Sequence, residues 1–209
     1  MTDAAQRYVV PTISSDRVNI FFPLLQQGVG VKCRVGCSLD RLLSEEWQLS
    51  PDYVAQRITT IFVDGRAVDD VTRAIVRAGS VIALSGAMPG LVGATMRRGG
   101  YYAALRGAIT HRETYADSVD RIATVRVKLF NLLLPEIGPQ FLRRGVLLNA
   151  SEAATFFNAQ GEEFWGACED ALLDDDATGE STLCDADTWD QEIICLRVQL
   201  KENSVNISK

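Results

Sequence analysis

A chain of 209 residues with 47% apolar side chains has enough material to bury one sizeable core or two small ones, which excludes an intrinsically disordered polymer. Its formal net charge of −6 is unevenly divided, with 12 basic and 9 acidic side chains in residues 1–110 against 9 and 18 in residues 111–209. That asymmetry points to two modules, and the stretch from Glu169 to Glu192 would repel a nucleic-acid backbone, so no nucleic-acid partner is expected.

The best candidate for a membrane span, Val81 to Ala94, is cut by Ser85, Gly86, Pro89, Gly90 and Gly93, so no membrane association is expected. The residues before Tyr8-Val9-Val10-Pro11 lack the apolar centre of a secretory signal, and a cytoplasmic location is expected. Cys33, Cys37, Cys168, Cys184 and Cys195 are an odd, scattered set that reads as reduced thiols rather than a disulfide framework. With one histidine, His111, and no close pair of cysteines, neither a metal nor a cofactor is expected.

In chain order, Arg17–Phe22 and the alternation Val29, Val31, Cys33, Val35, Cys37 predict a hairpin broken at Pro23. Cys33 and Cys37 would then share a face about 13 Å apart, too far to bridge. Ser38 is a helix cap before Leu39, Leu42 and Leu43, whose spacing gives one apolar stripe. Ser50-Pro51 starts a second short helix reaching Arg57. The β-branched run Ile58–Val63 ends at Asp64-Gly65, a two-residue hairpin signal, and a short helix at Asp69–Arg77 precedes a strand at Ser80–Leu84.

Three segments resemble a known family: Gly36-Cys-Ser-Leu-Asp-Arg-Leu-Leu, Thr60-Ile-Phe-Val-Asp-Gly-Arg-Ala-Val, and Ala78-Gly-Ser-Val-Ile-Ala-Leu-Ser-Gly-Ala-Met-Pro-Gly. Together they are similar to the ubiquitin-like β-grasp fold, and most similar to the small sulfur-carrier proteins of molybdopterin and thiamine synthesis. The resemblance covers roughly residues 17–100. It implies a β-grasp module, and carrier chemistry would need a free carboxylate after Gly99-Gly100, where this chain continues into Tyr101-Tyr102. Part of the same stretch is also similar to the small RNA-binding αL motif, although Glu45, Glu46 and Asp52 oppose a basic helical face.

Gly86, Gly90, Gly93, Arg97, Arg98, Gly99 and Gly100 form the densest candidate ligand-binding loop. Glycines let backbone N–H groups converge on a small anionic ligand, and arginines supply forked donors. The spacing matches neither a P-loop nor a dinucleotide fingerprint. The competing reading is an apolar crossover that packs Leu91, Val92 and Met96 on a neighbour or an equivalent subunit. Tyr101–Arg106 opens a linker helix, and His111 beside Glu113 and Asp117 reads as a surface histidine without a nucleophile to serve.

Beyond Asp120, Val125, Val127 and Leu129 alternate as a strand, and Leu196, Val198 and Leu200 repeat the pattern, so the two are expected to pair. Between them lie a helix from Pro139 stopped by Gly145, a strand at Val146–Leu148, and a longer helix capped by Asn149 or Ser151 and reaching Leu173. Ten carboxylates and no Lys or Arg occupy residues 169–192, a solvated loop or a face for a basic partner.

The expected fold is α+β, an N-terminal β-grasp (ubiquitin-like) domain at 17–100, a linker helix at 101–120 and a smaller acidic α+β domain at 121–203. The expected role is a non-catalytic binding or assembly protein with a protein partner or self-association. One alternative is a sulfur-carrier-like or modifier-like precursor cleaved after Gly100. Another is a carboxylate- or metal-dependent enzyme using the acidic C-terminal half, where several of Asp174, Asp175, Asp176, Asp185 and Asp187 would hold a metal.

Overall fold

A computed structural model describes residues 7–106, 110, 120–189 and 193–202. The first elements are β1 (Arg7–Ser14), a 3-10 helix (Ser15–Phe21), α1 (Phe22–Gln27) and β2 (Val29–Val35). They are followed by α2 (Leu39–Arg41), which continues as a π-helical turn (Leu42–Glu46), α3 (Pro51–Gln56), β3 (Thr60–Val63), β4 (Arg66–Ala67) and β5 (Val81–Ser85). Then come α4 (Gly90–Met96), a 3-10 helix (Tyr101–Arg106), β6 (Arg121–Phe130), α5 (Leu133–Arg144), β7 (Val146–Asn149), α6 (Ala150–Asn158) and α7 (Glu162–Ala167). The last are β8 (Cys168–Leu173), β9 (Asp176–Thr178), α8 (Glu180–Leu183), a 3-10 helix (Ala186–Trp189), β10 (Ile193–Leu196) and β11 (Gln199–Lys201). The chain is a mixed α and β protein that divides into two compact units, residues 25–136 and residues 1–24 with 137–209.

In the unit of residues 25–136 the strand order is β4-β3-β5-β6-β2. Its central pair, β5 and β6, is parallel, with Ile82 opposite Val127, and the outer pairs are antiparallel. The sequence accounts for the corners. Asp64 (φ +51°) and Gly65 (φ +75°) make the two-residue turn between β3 and β4, a conformation that Asp tolerates and Gly adopts freely. Ser38 Oγ accepts from the Arg41 N–H and Ser50 Oγ from the Tyr53 N–H, closing the helix starts that their spacing predicts. Leu39, Leu42 and Leu43 are fully buried, as are Ile82, Leu84 and Leu129.

The unit of residues 1–24 and 137–209 has the order β9-β8-β1-β10-β7, with β11 beside the end of β1. Here too the central pair, β1 and β10, is parallel and the pairs outside it are antiparallel. The two sets of strands therefore share one order and one set of directions: β2 or β7 leads through helices to a hairpin at the far end of its own set, and two parallel strands lie between. The hairpin turn also repeats, with Asp174 (φ +53°) and Asp175 (φ +73°) in the left-handed region. Asn149 caps α6 through a reciprocal box with Glu152, and Gly145 (φ +98°) ends α5. An aromatic cluster fills this core, with Phe21 stacked on Phe156 at 5.3 Å and Phe157 on Trp189 at 5.6 Å.

Several expectations need correction. The hairpin of Arg17–Phe22 with Val29–Cys37 does not form. Val18 and Phe21 are buried three residues apart, a helical spacing, and β2 pairs instead with β6, Val29 opposite Val127. Cys37 lies beyond β2, past Gly36 at φ +85°. Asp69–Arg77 is not a helix. Ala74 and Val76 are buried alternately, and the Val76 N–H donates to the Cys37 carbonyl at 3.0 Å while the Gly36 N–H donates to the Val76 carbonyl at 2.7 Å. The two strands expected to pair are not neighbours: β6 lies between β2 and β5, and β10 between β7 and β1. The helix expected to reach Leu173 ends at Asn158, because Ala171 and Leu173 are buried with strand period.

Candidate functional site

The glycine- and arginine-containing segment follows β5 in the unit of residues 25–136. At its start, Gly86 is pressed against the chain: a Cβ there would lie 3.3 Å from the Arg57 carbonyl and 3.4 Å from Leu132 Cβ. Its carbonyl accepts from Thr59 Oγ1 at 3.0 Å. Asn131, just past β6, donates through Nδ2 to Ser85 Oγ at 3.1 Å and to the Ala87 carbonyl. These bonds tie the ends of two parallel strands to the loop leaving one of them.

Gly90 (φ +75°) begins α4, and Gly93 explains the tight turn preceding it. A Cβ on Gly93 would stand 1.8 Å from the Met88 carbonyl oxygen, so no other residue fits. The amides of the Arg97–Gly100 stretch do not converge on a common point. The Arg97 N–H donates to the Gly93 carbonyl, Arg98 to Thr59 and Gly100 to Arg97, while the Gly99 N–H donates to Asp69 Oδ1 at 3.2 Å. The loop amides are thus spent on the chain's own acceptors.

The arginines divide the work. Arg98 Nη2 donates to the Val54 carbonyl at 2.9 Å, its Nη1 is buried without an acceptor, and burial pushes its pKa down against the opposing pull of Asp69. Arg97 is exposed. Arg106 is the organising cation. It is 4% exposed, forms an ion pair with Asp69 at 2.6 Å, and donates through Nε to the Thr95 carbonyl at 2.7 Å and through Nη1 to Thr110 Oγ1 at 3.2 Å. One guanidinium thereby joins the end of α4, the 3-10 helix of Tyr101–Arg106 and the loop after β4.

What this clamp presents outward is apolar. Leu91 is 72% exposed, Val92 63%, Tyr101 92% and Leu105 74%, with Tyr101 edge-on to Tyr102 at 5.1 Å. Residues 86–106 contain three arginines and no carboxylate, so Arg97 gives this face a positive edge. Of the residues singled out from sequence, the structure brings Arg98 and Gly99 to Asp69 and leaves Gly90 and Gly99 in left-handed turns. Asp69 and Arg106, the pair that holds the segment, stand 37 positions apart and carry no local signal. His111, Glu113 and Asp117 lie outside the described residues, as does most of the expected linker helix beyond Arg106.

The acidic segment has a structural task. Asp174 Oδ2 accepts from Arg7 Nε at 2.7 Å and its Oδ1 from the Tyr8 N–H at 2.7 Å, while its own N–H donates to the Tyr8 carbonyl. Lys201 pairs with Glu169. Among the described residues no three His, Cys, Asp or Glu side chains are grouped to hold a metal ion. Burial pushes the Cys33 thiol up to about 12, which holds it as an unreactive core side chain. No described helix is long and apolar enough to cross a membrane. Comparison with family models, with curated proteins and with solved structures returns no match to this chain.

Proposed function

We propose that this chain is a non-catalytic binding or assembly protein built on β-grasp architecture, whose contact surface is the apolar face of α4 and the Tyr101–Arg106 helix. The observation that carries the reading is the exposure of Leu91, Val92, Tyr101 and Leu105 on a segment anchored by the ion pair of buried Arg106 with Asp69. Large exposed apolar side chains carried by two helices packed on each other mark an interaction surface. The β-grasp assignment is supported by the strand order in residues 25–136, a helix-bearing crossover from β2 to the far β3–β4 hairpin around a parallel central pair. In that assignment the strand usually first in the chain is supplied by β6, after the others.

Two other readings are weaker. A carrier released at Gly100 would leave behind β6, the strand lying between β2 and β5. An enzyme using the acidic segment could not count Asp174 as a free carboxylate, because its two oxygens already serve Arg7 and Tyr8.

A photo-crosslinking amino acid placed at Leu105 in cells tests the proposal. A defined protein adduct is expected, and it should disappear when Val92→Asp is added. Crosslinking no stronger than from an exposed position elsewhere, such as Arg73, would overturn it.

A further inference from the structure

We infer that the sheet face turned away from the core in the unit of residues 25–136 binds a phosphate monoester, through Arg126, Lys128 and Lys32 gathered beside Gly28 and Gly30. This site stands apart from the α4 surface and does not depend on the role proposed for it.

The strand registers place the residues. Val29, Cys33 and Val35 of β2 and Val125, Val127 and Leu129 of β6 are buried, so Gly30, Lys32 and Arg34 share the other face with Thr124, Arg126 and Lys128. Gly30 lies opposite Arg126 and Lys32 opposite Thr124, which makes Lys32 and Arg126 diagonal neighbours, within reach of each other for long side chains. On the other side of β6, Arg126 is opposite Val81 and Lys128 opposite Ala83. The five strands of this unit contain no Asp or Glu. Arg34 does not join the group, because Asp120 at 3.3 Å and Glu46 at 3.6 Å take up its charge. Asp64, at the turn beside β5, accepts from Ser80 Oγ and the Val81 N–H.

Gly28 shows that the cations converge. A Cβ there would meet Lys128 Cγ at 2.9 Å, and Arg126 Nε and Lys128 Cε at 3.0 Å each, so both side chains close over this one glycine. Its φ of +106° also reserves the position for glycine. Like charges held side by side repel, and an anion that meets both relieves the repulsion. Arg126 and Lys128 are half-buried, so salt screens them less than it would a fully exposed pair. The cluster also selects the charge of its ligand. A carboxylate brings one negative charge, whereas a phosphate monoester brings nearly two and three acceptor oxygens, which suit a guanidinium fork and two ammonium groups. A nucleic-acid strand fits less well, since Gly30 and Thr124 offer no ring on which a base can stack, and the net charge of −6 opposes a long polyanion.

An amide-resolved NMR titration of the full chain tests this, with chloride holding the ionic strength constant. The probes are inorganic phosphate, a short peptide carrying one phosphoserine, and the same peptide with glutamate in that place. Phosphate and the phosphopeptide should shift the amides of residues 28–32 and 124–128 saturably, and the glutamate peptide should bind more weakly. Arg126→Gln or Lys128→Gln should each weaken binding about tenfold, the worth of one charge-assisted hydrogen bond, while Arg34→Gln leaves it unchanged. Circular dichroism establishes that the variants are folded, and Lys32→Gln replaces any that is not. Tighter binding of the phosphopeptide than of inorganic phosphate assigns the site to a phosphorylated segment of a partner protein; equal binding assigns it to small phosphate compounds, and both uphold it. A glutamate peptide that binds as well as the phosphopeptide, shifts spread over every exposed cation, binding untouched by Arg126→Gln and Lys128→Gln, or a single-stranded oligothymidylate that occupies the same residues more tightly would overturn the inference.

Discussion

Arg106 donates to Asp69 across 2.6 Å while 96% of its own surface is removed from solvent, and the same guanidinium satisfies the last carbonyls of α4. A buried guanidinium is stable only while its charge and its donors are matched, so Asp69 is the residue that makes the fold of the Gly-rich segment affordable. Asp69→Ala leaves that cation unpaired. A loss of about 2 kcal/mol is expected, below the range for a fully buried pair because Asp69 is still partly solvated. Amide hydrogen exchange should place the damage in residues 90–106 and leave β3 and β5 protected; uniform acceleration through the sheet would contradict the clamp.

Asp64 and Asp174 occupy equivalent turns and do the same thing. Each opens a left-handed two-residue turn, and each accepts from a backbone N–H of the adjoining strand, Val81 for Asp64 at 2.8 Å and Tyr8 for Asp174 at 2.7 Å. Asparagine keeps an acceptor and tolerates the turn, whereas alanine loses the acceptor and resists positive φ. Urea unfolding should therefore rank Asp64→Asn as mild and Asp64→Ala as costing about 2 kcal/mol, with the same order at Asp174. Equal effects of the two substitutions would show that the carboxylate clasp contributes nothing.

These turns also show what local sequence encodes. The Asp64-Gly65 turn, the Ser38, Ser50 and Asn149 caps and the Gly145 stop were all readable, because each depends on residues within four positions of one another. The neighbour of β2 was not. Alternation tells which face of a strand is buried but not which strand lies beside it, and β6 begins more than eighty residues after β2. For the same reason the apolar pattern of Arg17–Phe22 suggests a hairpin arm, although its two buried side chains, Val18 and Phe21, are equally compatible with a helical turn. In the candidate site, the glycines announce tight turns, but the side chain that organises them, Arg106, is matched to Asp69, 37 positions away at the start of a segment whose sequence suggests a short helix.

Glu136 accepts from Arg57 through both oxygens and from the Tyr53 hydroxyl at 2.7 Å. Hydrogen bonding from Arg57, more than any other influence, holds its carboxyl below the ordinary glutamate value near 4.5. The folded state therefore binds this proton less readily than the unfolded chain. Its contribution to stability is complete above the unfolded value and is lost as the pH falls through the lower folded value. Urea midpoints measured from neutral pH downward should fall in acid, and Glu136→Gln should reduce the part of that fall attributable to this residue. An unchanged acid limb in the variant would refute the assignment.

The thiols supply a check on the core. Burial pushes Cys33 up to about 12 and raises Cys37, Cys168 and Cys184 as well, so little thiolate exists near neutral pH. An aromatic disulfide reagent should titrate all five cysteines only in denaturant. In native protein the half-buried Cys168 and Cys184 should react first and slowly, and Cys33 last. Rapid native labelling of Cys33 would mean that β2 is not packed as described.

Truncation after Gly100 tests the carrier alternative against the sheet. Residues 1–100 contain β2, β3, β4 and β5 but not β6, which pairs with β2 along seven residues and with β5 along five. Without it, two strands lose their shared neighbour, and Val125, Val127 and Leu129, each at most 1% exposed, are removed from the core. A protein that functions as a released carrier must fold once cut. The fragment is expected to lack a cooperative thermal transition and to exchange its strand amides freely, because the unpaired edges of β2 and β5 and the vacated core cost far more than the few kcal/mol by which a small unit is stable. A cooperatively folded fragment ending at Gly100 would mean that β6 is dispensable, and the carrier reading would regain its footing.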